Sequence, residues 1–199
     1  MKSNSIMKAV LAVVLSISLL ATGCSAQWIS VALADLPVLT QMALNIAALA
    51  ATLQSGKQLS PADAAAIQNI SAEASRDLNL LETLYNQYKA SPSAAGLQKI
   101  DDAIATINAN LPALLQAAHI GDPTLSARIT AAVNLILTTV TSFVSLIPQE
   151  TGMPTAQRVA AAKIAIPRAK DLKKQWNLQV CGPTGKVGLD AAFSVCGVK

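Results

Sequence analysis

Apolar residues recur at alternating steps of three and four along five segments of the chain. This spacing puts them on one face of a helix, and a face kept over three or more turns predicts a helix that packs against others. The five stripes are Leu39, Met42, Ile46, Leu49 and Leu53; Ile67, Ile70, Ala74, Leu78, Leu81, Tyr85 and Tyr88; Leu97, Ile100, Ile104, Ile107, Leu111, Leu114 and Ala118; Ile129, Val133, Ile136, Val140, Phe143 and Ile147; and Val159, Ala162, Ile166, Ala169 and Trp176.

Helix starts are indicated where a capping residue stands next to a proline, because proline suits the first helical position. Such pairs are Ser60 with Pro61, Ser91 with Pro92, Asp122 with Pro123, and Pro154 with Thr155. Three other prolines, Pro37, Pro112 and Pro167, fall inside the striped segments and predict kinks. Pro37 has an alternative interpretation, as the point where a linker becomes the first helix.

The connections between stripes are short, which favours antiparallel packing of consecutive helices. We therefore predict an all-α fold: an up-and-down antiparallel bundle of four long helices, a fifth basic helix, and a short C-terminal tail. The predicted boundaries are a leader over 1–23, the bundle over 24–176 and a Gly-rich tail over 177–199. Composition agrees, because 52% of residues are hydrophobic and 13% charged, against about 25% charged in an average domain.

The first 24 residues have the features of an export signal. Lys2 and Lys8 precede an uncharged apolar run over 9–21, which is too short for a comfortable membrane span. The run ends in Leu20-Ala21-Thr22-Gly23-Cys24, which resembles the lipobox of bacterial lipoproteins. The resemblance covers these residues alone and implies cleavage before Cys24, with acyl chains on that cysteine as a membrane anchor.

The resemblance has one departure and one competing interpretation. Ala21 stands in the third place before the cysteine, where leucine is commoner in this class. An ordinary signal peptide cut after Ala26 would instead discard Cys24. Ser25 is not the aspartate that often signals inner-membrane retention in this class, so the resemblance implies export and the outer membrane, facing the periplasm, rather than the inner membrane.

Three cysteines are an odd number for an exported protein, and acylation of Cys24 leaves Cys181 and Cys196 as a pair. In an oxidising compartment we expect a disulfide between them. The alternative is two free buried thiols.

Charge is unevenly distributed along the chain. Residues 24–152 contain 5 basic and 9 acidic side chains, whereas 153–199 contain 8 and 2. The fifth helix presents the candidate contacts for an anionic lipid or envelope polymer, which are Lys163, Arg168, Lys170, Lys173 and Lys174. The alternative is a solvated face beside an acidic body. Nucleic acid is not an expected partner, because only 3% of residues are aromatic.

Two stretches, 36–56 and 129–149, have no charged residue and are long enough to span a bilayer. In both stretches polar residues lie on the helix face opposite the apolar stripe, which favours buried helices of a bundle. A second copy of the chain could cover that polar face. The opposing residues are Gln41, Asn45, Asn134, Thr138, Thr139, Thr141, Ser142 and Ser145. The alternative is a membrane-inserting or pore-forming oligomer.

Catalytic and cofactor motifs are not found in the sequence. His119 is the single histidine, near a predicted helix end, and "CGPTGK" at 181–186 lacks the Walker spacing. We expect no catalytic, metal or cofactor residues; a carboxylate pair such as Glu73 and Asp77 is the remaining enzyme alternative. The sequence thus predicts a non-enzymatic, membrane-anchored envelope lipoprotein that serves as a helical scaffold or binding module.

Overall fold

Helices make up the regular structure of the part of the chain that the structure describes. The structure is a computed structural model that describes residues 3–145, 147, 168–194 and 196–198, with side chains from Trp28 onward. In these ranges the chain forms six helices and no strand, which confirms the all-helical prediction. The helices are α1 (Ser3–Ser55), α2 (Pro61–Ala90), α3 (Ala94–Ala117), α4 (Pro123–Val144), α5 (Ala169–Gln179) and α6 (Val187–Phe193).

Two helix starts use the predicted caps. The Ser60 hydroxyl accepts the Asp63 N–H at 3.0 Å, and the Asp122 carboxylate accepts the N–H groups of Thr124 at 2.8 Å and Leu125 at 2.9 Å. Each cap satisfies donors that have no partner within the helix.

The predicted start of α3 is wrong by two residues. The N–H of Ser91 still bonds to the Gln87 carbonyl, so Ser91 ends α2 and cannot begin α3. Ser93 caps α3 instead, and its hydroxyl accepts the Gly96 N–H at 3.0 Å. The predicted start at Pro154 lies outside the described residues.

The predicted apolar stripes form the core. All stripe residues of α1 and α4 are buried, as are those of α2 and α3 except the half-buried end positions Tyr88, Leu97, Leu114 and Ala118. In the fifth stripe Trp176 is buried, while Val159, Ala162 and Ile166 lie outside the described residues. Full burial of one large aliphatic side chain contributes about 1.5 to 3 kcal/mol, so these stripes supply the main stabilisation of the fold.

α1 lies at the centre of the contacts between helices. It contacts α2, α4, α5 and α6, while α2 contacts α3, and α4 contacts both α3 and α5. Buried residues therefore cover more of α1 than one stripe, and they include Trp28, Ile29, Ala32, Leu36, Ala43 and Ala50. A helix covered on several sides has little surface for charged side chains, which accounts for its uncharged stretch.

Two helical segments of the described chain, Trp28–Ser55 and Pro123–Val144, are long and apolar enough to cross a membrane. Buried core helices of water-soluble proteins have the same length and composition. Thr139, which we expected on the polar face of α4, is fully buried, and its hydroxyl donates to the Leu135 carbonyl at 2.8 Å. The buried part of the α4 surface is therefore wider than its apolar stripe predicts.

Two of the internal prolines lie within continuous helices. Pro112 lies inside α3 and Pro37 inside α1; Pro167 lies outside the described residues. The linker alternative for Pro37 is wrong, because Trp28, Ile29 and Ala32 precede it in α1 and are already buried in the core. The bundle begins before Pro37.

Candidate functional site

Four of the six aromatic residues meet at one end of the bundle. The rings of Trp28 and Tyr85 lie 5.6 Å apart, those of Trp28 and Tyr88 5.8 Å, and those of Tyr85 and Phe143 6.2 Å, measured between centroids. A Cβ at Gly96 would lie 3.2 Å from the Tyr88 ring, so the first turn of α3 is also here. We call this region, formed by Trp28, the last turns of α2 and α4 and the first turn of α3, the aromatic end.

Two polar atoms are buried in the aromatic end without a hydrogen-bond partner, the indole Nε1 of Trp28 and the hydroxyl of Tyr85. Burial, and secondarily the negative charge of Asp101, raises the pKa of Tyr85 above its usual range. The phenol is therefore neutral at any physiological pH. Both groups are potential donors in an apolar setting.

The candidate lipidation site, Cys24, is close to the aromatic end along the chain. α1 is continuous from Ser3 to Ser55, so four residues of helix, about 6 Å of rise, separate Cys24 from Trp28. The Cys24 side chain itself is outside the described side chains. A buried core residue therefore lies within four residues of the predicted anchor, and no irregular linker separates the two.

A buried carboxylate connects α1 to the start of α5. Asp35 is 2% exposed, and its carboxylate accepts the N–H of Ala169, the first residue of α5. The N-cap residue Arg168 makes no side-chain cap bond, so Asp35 supplies from α1 the negative charge that a helix start favours. Burial outweighs this bond and raises the pKa of Asp35 to about 6, and its second oxygen, Oδ2, has no partner.

The predicted basic residues on α5 fall into two settings. Arg168, Lys170 and Lys174 are exposed, whereas Lys173 is half-buried. Lys173 lines an open groove of about 360 Å³ between α1 and the tail, with Pro37, Val38, Gln41, Asn45, Gly197 and Val198. Lys163 lies outside the described residues.

The structure contains the expected disulfide between Cys181 and Cys196. The carbonyl of Cys196 accepts two side-chain donors, Asn45 Nδ2 and Trp176 Nε1, each at 2.9 Å. Asn177 bonds to both the N–H and the carbonyl of Val198, at 2.9 and 3.1 Å. The end of the chain is thus fixed between α1 and α5, and Asn45, expected on a polar face of α1, serves as a tail contact.

The rest of the tail is held by α4. Arg128 donates to the carbonyls of Gln179 at 2.7 Å and Pro183 at 3.0 Å, and its guanidinium lies 5.8 Å from the centre of the Phe193 ring. Phe193 is buried at the end of α6. The tail, predicted as a Gly-rich segment, contains a short packed helix.

The carboxylates of the enzyme alternative form a local ion-pair cluster. Glu73 and Asp77 lie one turn apart on α2, and Arg76 bonds to Glu73 and lies 3.6 Å from the Asp77 carboxylate. Burial, followed by the charge of Glu73, raises the pKa of Asp77. Neither residue lines the groove at Lys173 or a second groove, of about 380 Å³, between α3 and α4.

The sequence pattern did not identify two residues of the candidate site, Asp35, which bonds to the start of α5, and Trp28, which lies in the aromatic end. A signal existed for Asp35: it is the one charged residue between Cys24 and Gly56 and stands directly before the uncharged stretch. A charge in such a setting needs a specific partner. Trp28 lay ahead of the first stripe and was not assigned to the core.

Among the described residues, no three His, Cys, Asp or Glu side chains come close enough together to hold a metal ion. His119 is exposed just beyond the end of α3. Comparison with protein-family models, with curated proteins and with solved structures gives no significant match to this chain.

Proposed function

We propose that this protein is an exported, membrane-anchored envelope lipoprotein, acylated at Cys24, whose helical domain acts as a non-enzymatic scaffold or binding module. One observation carries the proposal: the signal-like segment ends at Cys24, and Trp28, four residues later, is already buried in the core. The folded domain thus extends to within four residues of the proposed cleavage site. The Cys181–Cys196 disulfide is compatible with an oxidising compartment outside the cytosol.

We further infer an up-and-down antiparallel order for α1 to α4. Connections of three to five residues join α1 to α2, α2 to α3 and α3 to α4, and each of these pairs is in contact, as is α1 with α4. Short connections between contacting helices favour antiparallel neighbours. We propose the outer membrane, facing the periplasm, as the location, because Ser25 follows the cysteine in place of the aspartate that often signals inner-membrane retention in this class.

Replacing Cys24 by alanine is expected to reduce incorporation of radiolabelled fatty acid to background, because the acyl chains are attached to that residue. The measurement is the label in the immunoprecipitated protein from growing cells. A matched control replaces Cys181 and Cys196 with alanine and should keep the label. Equal labelling of the wild type and Cys24→Ala would refute the anchor.

The second candidate function is a membrane-inserting or pore-forming oligomer, favoured by the two membrane-length helices. Exporting the domain with an ordinary signal peptide and without Cys24 separates the two. We expect a freely soluble monomer, because the apolar stripes are buried within one chain. Sedimentation with membranes that resists carbonate extraction would instead favour insertion.

A further inference from the structure

An open groove, which we call the α3–α4 groove, lies between α3 and the end of α4. Its volume is about 380 Å³, within the range of about 300 to 1,000 Å³ that is typical of ligand pockets. It follows α3 from Leu97 to Asn108, about three turns or 16 Å of rise. Most of its lining is apolar and includes Leu97, Ile104, Val144 and Ile147. The groove therefore has room for the apolar body of a small molecule.

A carboxylate without a partner lies in this apolar lining. Asp101 is half-buried in the groove and forms no hydrogen bond or ion pair with a residue of the described ranges. The nearby phenol of Tyr85 does not bond to it, because the Tyr85 hydroxyl has no hydrogen-bond partner. Burial, followed by the charge of Asp102, raises the pKa of Asp101. The surroundings thus disfavour the ionised carboxylate, and a cation beside it would offset that effect.

The charged residues near Asp101 do not supply this cation. Lys99 is exposed and stands two residues before Asp101, about 200° away around the helix. Arg128, the one charged residue of α4, donates to carbonyls of the tail. Asp102 adds a second negative charge, and it accepts the side-chain amide of Gln98 at 2.8 Å. The α3–α4 groove therefore has a negative charge that the described residues leave uncompensated.

The size of the groove favours a small ligand over a protein surface. Seven described residues line it, whereas a stable protein interface takes about 20 to 30 residues on each side. Its other polar side chain, Asn108, already accepts the Thr141 hydroxyl at 3.0 Å. The complement of the groove is thus an apolar body with one positive charge, because a hydrogen bond between a cation and a carboxylate is stronger than one between neutral groups.

We propose that the α3–α4 groove binds a small amphipathic cation, whose ammonium or guanidinium group contacts the Asp101 carboxylate while its apolar body lies against Ile104 and Val144. The inference goes beyond the proposed function, because it assigns a ligand class to a specific site, and it does not rest on the acyl anchor. It predicts that the protein prefers a charged amphiphile to a neutral one of the same size.

The experiment measures the binding of two matched probes to the full mature protein in phosphatidylcholine nanodiscs. Phenylbutylammonium carries a positive charge, and phenylbutanol has the same apolar body without the charge. Empty nanodiscs correct for partition of the probes into the lipid. Isothermal titration gives the dissociation constants, and a diazirine-bearing alkylammonium, competed with phenylbutylammonium, locates the site by mass spectrometry.

We expect the wild type to bind phenylbutylammonium about tenfold or more tightly than phenylbutanol, from a hydrogen bond to a charged group. Asp101→Asn should remove this preference and keep the affinity for phenylbutanol, which also shows that the groove is intact. The matched control, Asp102→Asn, removes the exposed carboxylate at the next position and should keep most of the preference. The photolabel should fall on α3 and on the end of α4.

Equal affinities of the wild type for the two probes, or equal effects of the two variants, would overturn the proposal. Photolabel outside the groove would also overturn it, as would a dimer of the probe-free protein that closes the groove to the label, since the occupant would then be a second copy. If Asp101→Asn does not fold, the comparison of the two probes on the wild type decides by itself.

The failure of this inference is distinguishable from failure of the proposed function. The mass of the mature N-terminal peptide shows directly whether Cys24 is acylated. An acylated protein that does not prefer the charged probe keeps the lipoprotein function and loses the ligand site. A protein without an acyl group loses the lipoprotein function, and the two probes still decide the ligand site.

Discussion

Replacing Trp176 with alanine is expected to lower the free energy of unfolding by about 4 kcal/mol, the middle of the range for a fully buried aromatic residue. Trp176 is completely buried in α5, and its indole N–H donates to the Cys196 carbonyl at 2.9 Å. The substitution leaves a cavity between α5 and the tail and removes one of the two donors to that carbonyl. Urea unfolding with the disulfide intact measures the change, and Trp28 remains as the fluorescent reporter.

A matched variant separates packing from hydrogen bonding at this position. Trp176→Phe keeps an aromatic ring but loses the indole N–H, so we expect a smaller loss, about 1 to 2 kcal/mol. Asn45 still donates to the same carbonyl in both variants. A loss below about 1 kcal/mol for Trp176→Ala would show that the tail does not pack on α5 as described.

Replacing Asp35 with asparagine is expected to stabilise the protein at neutral pH by roughly 2 to 3 kcal/mol. Burial raises the pKa of Asp35 from 3.8 to about 6 in the folded state. The folded state therefore binds the proton more tightly than the unfolded chain, and wild-type stability falls as the pH rises between about 4 and 6. Asparagine has no such proton, and its side-chain oxygen can still accept the Ala169 N–H.

The measurement is the free energy of unfolding of both proteins between pH 4 and 8. We expect the two curves to converge near pH 4 and to separate as the pH rises to about 6, with the Asp35→Asn variant the more stable. Taking the difference between the curves cancels other titrating groups, such as Asp77. Asp171→Asn is the control, because it alters an exposed carboxylate in the first turn of the same helix. A separation that is independent of pH would contradict the assignment to Asp35.

The fold was predictable where one helix face meets its neighbours along the chain. The stripes through Ile46, Ile104 and Ile136 indicate such faces directly. The caps at Ser60 and Asp122 were also predictable, because each cap bonds to residues only two or three positions further along the chain. The pattern could not show what covers a second face, because that depends on segments distant in the chain. Asn45 and Thr139 were therefore placed on polar faces, although the first contacts the tail and the second is buried.

At the candidate site the sequence predicted the disulfide that the structure contains, whereas acylation of Cys24 stays a prediction. Cys24, Cys181 and Cys196 stand out by residue type and count. Asp35 was passed over because its bond partner, the Ala169 N–H, is a backbone group more than a hundred residues away, and a residue pattern does not reveal such a partner.

The uninterrupted course of α1 has a mechanical consequence for an anchored molecule. Many tethered domains are joined to their anchor by a flexible linker, which extends under force before the domain is loaded. If Cys24 carries the proposed acyl anchor, force applied there would pass along α1 into Trp28 and from there to the four helices that α1 contacts. Anchored in that way, the domain would act as a stiff post that holds its far end at a fixed height above the bilayer.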